Sequence, residues 1–179
     1  MTEVTRLACR CGKVHLEVRA EPIITAECHC KSCREASRRL EALPGGSRIA
    51  EDNDGTRFVL YRKDRAQVTQ GAEQLREFRL TPASTTRRIV AGCCNTPLFL
   101  EFKGGHWLSL YANLWPEGTQ PPLDLRTVLG DRSDSRPLDD RVPSGAWPTT
   151  KFYARLLGAW IAMGFKVPDI AVPGGRIDG

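Results

Sequence analysis

Three short cysteine clusters constrain this chain more than any other feature. They are Cys9-Arg10-Cys11-Gly12, Cys28-His29-Cys30-Lys31-Ser32-Cys33 and Cys93-Cys94-Asn95-Thr96. Thiolates two or three residues apart converge on one ion only where the backbone turns tightly between them, and Gly12 and Gly92 favour such turns. Zinc in a cytosolic protein is commonly held by such knuckles, with pairs from distant parts of the chain closing a tetrahedron. Any fold adopted here therefore has remote segments to bring together. The seven cysteines are about 4% of the 179 residues, below the ~8–10% of a disulfide scaffold. Their odd number, and an N-terminus (MTEVTRLACR) without the apolar core of a signal peptide, lead us to expect a cytoplasmic location and metal or thiol chemistry.

The middle cluster offers Cys28, Cys30 and Cys33 with no fourth cysteine in reach. A closed four-ligand site is structural, whereas three protein ligands leave a position for water or a substrate thiol. Spacing alone leaves both readings open. His29, inside the cluster, either positions a substrate or points away between two converging ligands. Arg34, Arg38 and Arg39 follow on an expected helix; they either offset the negative charge of a three-thiolate centre and meet substrate carboxylates, or form a solvated face. His15 and His106 are expected to be structural.

The remaining pattern reads as mainly β. Residues 14–18 alternate apolar and polar side chains, and 23–26 form a second β-prone run. Further strands are expected at 56–61, 67–70, 75–80, 87–91, 98–102 and 107–111. Gly71, Pro82, Pro97 and Gly104-Gly105 stand among them, the texture of antiparallel β. A helix is expected over 34–43, stopped by Pro44-Gly45-Gly46. Six of the twelve prolines lie between Pro116 and Pro148, marking a long irregular connection. A helix then follows over about 150–163, capped by Thr149 or Thr150, with an apolar stripe of Phe152, Leu156 and Trp160 beside Tyr153, Leu157 and Ile161. It is expected to lie over the sheet or to pair two subunits.

Composition narrows the function classes. Hydrophobic residues at 41% and charged residues at 26% describe an ordinary globular chain, and no apolar stretch is long enough to span a bilayer. The net charge of +5 is spread along the chain and interleaved with acids, so it permits an anionic small molecule without calling for nucleic acid. Asp52-Asn53-Asp54-Gly55 fails as a calcium loop, because Ala50 and Tyr61 would take its first and last ligand positions.

The cysteine pattern resembles that of the glutathione-dependent formaldehyde-activating enzyme family (GFA-like proteins, including centromere protein V). That family shows C-x-C-G, then C-H-C-x-x-C-R, then R-x-F-C-x-x-C-G-x-P-L. The first two motifs match at Cys9–Gly12 and Cys28–Arg34, and the third matches in part over residues 88–98. The resemblance spans about residues 7–111. It implies a β-tent of small antiparallel sheets around zinc. It also implies a closed structural site using Cys9, Cys11 and Cys94, and an open catalytic site on Cys28, Cys30 and Cys33. The implied chemistry is addition of a glutathione thiol to formaldehyde, a carbon–sulfur lyase reaction run backwards.

Two departures stand out. Ala91 takes the place of a ligand, and adjacent Cys93 replaces it only if the backbone is distorted, since neighbouring side chains normally diverge. Ser37-Arg38 replaces the usual small residue and glycine. The expectation is a zinc domain over residues 1–115, with residues 116–179 packed on it. Its activity would be that of a carbon–sulfur lyase on a small thiol or thiol–aldehyde adduct, with Arg34, Arg38 and His29 binding substrate and glutathione or a second copy of the chain as partner. A non-catalytic zinc-stabilised binding module is the alternative, and a fourth protein ligand at the middle cluster, such as His29 or Cys93, would favour it.

Overall fold

The computed structural model describes residues 3–132 and 136–177; Ser133, Asp134 and Ser135, within the Pro-rich connection, lie outside them. Among the described residues ten strands form two sheets. The smaller has β1 (Val4–Ala8), β2 (His15–Arg19) and β5 (Ala66–Gln70) in the order β1-β2-β5. The larger runs β10-β3-β4-β9-β8-β7-β6, built from β3 (Ile24–Cys28), β4 (Thr56–Arg62), β6 (Leu75–Phe78), β7 (Thr86–Ala91), β8 (Thr96–Phe102), β9 (Trp107–Tyr111) and β10 (Leu125–Thr127). The mainly β architecture is the expected one, with two refinements. The larger sheet has seven strands, and β10 joins β3 in parallel, whereas the other pairs are antiparallel.

The seven-stranded sheet is the middle layer. Its strands are buried on both faces, which is why β4 reads as the nearly unbroken apolar run Phe58-Val59-Leu60-Tyr61. Val59, Tyr61, Ile89 and Leu110 pack with Leu7, Leu16 and Val18 of the small sheet. Phe58, Leu60, Val90 and Leu100 face the other way, against α1 (Lys31–Glu41) through Ala36 and Leu40 and against α2 (Ala146–Ala162) through Leu156. Alternation along each strand thus sends one set of side chains to each core.

Both helices begin earlier than their composition suggests. The Cys30 side chain accepts a hydrogen bond from the Cys33 N–H and so opens α1 at Lys31 instead of residue 34. Gly145 caps α2, and the hydroxyls of Thr149 and Thr150 fall inside the first turn, donating back to the carbonyls of Gly145 and Ala146. His106 anchors α2 to the sheet. Its Nε2 donates to the Leu156 carbonyl (2.8 Å), and its ring stacks on Trp160 with centroids 5.6 Å apart. Leu157 and Ile161 remain exposed on the outer side of the helix, and Tyr153 is largely exposed too. Among the described residues no helix is long and apolar enough to cross a membrane.

Candidate metal centres and the adjoining cavity

The first and third cysteine clusters meet. Cys9 and Cys11 lie on the turn after β1, where Gly12 adopts a left-handed φ of 71° and donates its N–H to the Cys9 carbonyl. His15 Nε2 braces the same turn on the Gly12 carbonyl (2.8 Å). Cys93 and Cys94 lie on the turn between β7 and β8. The Cys9–Cys11, Cys9–Cys93, Cys11–Cys93 and Cys93–Cys94 sulfur separations are 3.6, 3.8, 3.4 and 3.9 Å.

Zinc–sulfur bonds of ~2.3 Å in a tetrahedron put sulfurs ~3.8 Å apart, so this donor set fits a closed four-thiolate ion. Vicinal Cys93 and Cys94 both reach the centre because residues 92–95 form a tight turn that ends on a left-handed Asn95 (φ 56°), with the Cys94 and Asn95 N–H groups donating to the Ala91 carbonyl. A turn releases adjacent side chains from the near-opposition of a strand. The backbone distortion required to replace the ligand lost at Ala91 is therefore present. Burial alone would raise the Cys94 thiol, but hydrogen bonding, chiefly from Thr96 Oγ1 (3.1 Å), holds it at about 6.

The middle cluster stands apart from the first. Cys28 ends β3, Cys30 caps α1, and Cys33 lies in the helix's first turn. Their sulfurs all lie within 4.8 Å of one another, with no fourth Cys, His, Asp or Glu ligand joining them among the described residues. This donor set fits three arms of a zinc tetrahedron. Hydrogen bonds from the Cys28 and Cys33 thiols, with help from Ser32 Oγ and the Cys33 N–H, hold Cys30 far below the usual thiol range. The same interactions push Cys33 and Cys28 upward. A helix N-terminus favours thiolate for the same electrostatic reason.

Beta-strand alternation separates His29 from its neighbours. Cys28 and Cys30 face the α1 side, while Glu27 and His29 face the opposite one. The fully buried His29 ring donates from Nε2 to Glu27 Oε1 (2.8 Å). Asn53 Nδ2 (3.0 Å) and Arg126 Nε of β10 (2.8 Å) donate to the same oxygen. Burial would raise the Glu27 carboxyl, but the bonds from His29 and Arg126 hold it below its usual value. His29, expected as a substrate ligand, instead joins a buried ion network that ties β10 to β3. Arg38 and Arg39 bond Glu35 on the solvated face of α1, and the Arg34 guanidinium donates to the Asp131 carbonyl. Neither Arg34 nor Arg38 lines the cavity beside the cysteines, because helical geometry turns them away from it.

That cavity, of about 520 Å³, runs from Cys28, Cys30 and Cys33 across the open face of the large sheet. Phe58, Leu60, Leu100, Phe102 and Trp107 line its wall, and α2 roofs it with Thr149, Phe152, Tyr153 and Leu156. Arg88 of β7 lines it too. Arg88 opens the third sequence motif, yet nothing in its local pattern announced a wall residue; only the pairing of β7 with β8 brings it near a cluster 55 residues upstream.

Fold and site together define a mainly β protein with two cysteine clusters that could hold a metal ion, one of four cysteines and one of three beside a cavity. Residues 4–45 match the family described as glutathione-dependent formaldehyde-activating enzyme. The chain is thus GFA-like over the span that carries its first two cysteine motifs. A crystal structure of a Rhodobacter sphaeroides protein is similar at 20% identity, covering 65% of this chain and 92% of that one, with a TM-score of 0.45. No curated protein matches the chain.

Proposed function

We propose that this is a two-zinc protein whose three-cysteine centre makes or breaks the carbon–sulfur bond of a small thiol or thiol–aldehyde adduct. The observation that carries the reading is the three-ligand donor set opening onto a largely apolar cleft. Cys9, Cys11, Cys93 and Cys94 would hold a structural ion that pins the β1–β2 turn to the β7–β8 turn. Cys28, Cys30 and Cys33 would hold the second. An ion there supplies Lewis acidity and a free coordination position, which lowers the pKa of an incoming thiol.

The chain's own residues do the rest. The Cys33 N–H fixes the Cys30 sulfur and the start of α1. The walls and α2 surround the bound group with apolar side chains, and the water they displace would strengthen polar interactions with it. In the addition direction a carbon–sulfur bond forms between the thiol and an aldehyde carbon, and the thiol proton passes to the aldehyde oxygen; the lyase direction reverses both changes. Glutathione with formaldehyde is the version of this chemistry that the family resemblance supplies. The non-catalytic binding module needs a fourth protein ligand at the centre, and its two candidates are engaged elsewhere, His29 with Glu27 and Cys93 with Cys9 and Cys11. The test is NMR of thiol and aldehyde mixed with catalytic amounts of zinc-loaded protein. Adduct formation faster than in the protein-free control is expected, and equal rates would overturn the assignment.

A further inference from the structure

Arg88 is only 1% exposed, an expensive place for a full positive charge unless an anion accompanies it. Its Nη2 donates to the Ser32 carbonyl (3.2 Å), holding the cysteine loop, while Nε and Nη1 have no hydrogen-bond partner among the described residues. Burial keeps the Tyr111 phenol neutral, so although its side chain interacts with Arg88 through charge and hydrogen bonding it supplies no counter-charge. No carboxylate and no second cation lines the cavity among the described residues, and its surface is chiefly apolar and aromatic. The site therefore offers one soft centre, one guanidinium with donors to spare and a hydrocarbon wall.

Resting on the reading of this cavity as the substrate site, we infer that it takes an apolar monocarboxylate. The hydrocarbon or aromatic body fills the space under α2, and the carboxylate pairs with Arg88. A guanidinium matches a carboxylate in charge and in hydrogen-bond geometry, and the pairing supplies a carboxylate partner that no described residue lining the cavity offers. Glutathione fits poorly. It carries two carboxylates, an ammonium and two peptide groups, and most of these would be desolvated against Phe58, Leu100, Phe102 and Trp107 without partners. The simpler role for Arg88, neutralising the thiolate cluster, makes no such discrimination between ligands.

Calorimetry on the zinc-loaded protein separates these possibilities with ligands that lack a free thiol. The probes are 4-phenylbutanoate, its neutral amide 4-phenylbutanamide, and S-methylglutathione. The acid is expected to bind at least tenfold more tightly than the amide and more tightly than S-methylglutathione. In Arg88→Met the acid–amide ratio is expected to fall to within about twofold, with zinc content retained. Should Arg88→Met fail to fold, the acid–amide comparison on the wild type decides the matter alone. Equal binding of acid and amide, no binding of either, or preference for S-methylglutathione would overturn the inference. Failure of the lyase reading is distinguishable: the acid would still bind selectively while thiol–aldehyde mixtures react no faster than the control.

Discussion

Arg126→Met tests the buried ion network that fastens β10 to the sheet. Glu27 is 4% and Arg126 7% exposed, and the Arg126 Nε–Glu27 Oε1 distance is 2.8 Å. Removing one partner of a buried pair costs about 3–5 kcal/mol, because the other charge is left uncompensated. Glu27 keeps its bonds from His29 and Asn53, so the lower end, about 3 kcal/mol, is expected at pH 7.5. For a chain of this size that is about 6–12 °C in Tm.

The pH dependence carries the diagnosis. In the wild type Glu27 titrates below its unfolded value of 4.5, so its contribution is present above that value and is lost as pH falls through the lower folded value. Without Arg126, burial opposes ionisation with weaker compensation, and protonation at mildly acidic pH relieves the strain. Urea unfolding at fixed zinc should therefore give a penalty that shrinks from pH 7.5 towards pH 5. Adding Glu27→Gln should restore part of the loss, since the two residues act through one contact. A penalty below about 1 kcal/mol at pH 7.5, or one that grows as pH falls, would refute the argument.

Three further predictions concern other joints of the fold. Burial holds the His106 imidazole below its unfolded value of 6.5, so its contribution to docking α2 is present above that value and is lost as pH falls through the folded one; the protection factors of the α2 amides, corrected for the intrinsic pH dependence of exchange, should fall on acidification in the wild type and much less in His106→Phe. Gly55→Ala should cost about 1–3 kcal/mol by urea unfolding, since a Cβ there would lie 2.7 Å from Glu27 Cγ and 2.9 Å from His29 Cε1. Gly12→Ala should cost about 1–2 kcal/mol for the different reason of its left-handed φ, as nothing lies within 4 Å of the added atom.

Much of the sheet was legible because period-two alternation and turn residues are local signals. The strand at Trp107–Tyr111 has the bounds its pattern implied, and the others shift by no more than a few residues. Two strands carried too little signal. β1 precedes the first cysteine turn as Val4-Thr5-Arg6-Leu7-Ala8, and three-residue β10 sits in a Pro-rich stretch, its place fixed by Arg126 meeting Glu27 across 99 positions. The three cysteine clusters were plain, and so was the scarcity of ligands in the middle one. What the sequence hid was long-range or conformational: the tight turn that lets Cys93 and Cys94 converge, the strand alternation that turns His29 away, and the arrival of Arg88 beside Cys33. Arg34 and Arg38 looked suitable by proximity in sequence, yet α1 points them outward.

Zinc stoichiometry, with the sulfur coordination number from X-ray absorption, bears most directly on the two-centre arrangement. The wild type should hold two ions per chain. Cys28→Ser should retain one ion bound by four sulfurs, and Cys93→Ser should retain one ion with three sulfur ligands. A wild type with one ion or none, or a Cys28→Ser protein that still holds two ions or loses both, would contradict the separation of a closed centre from an open one.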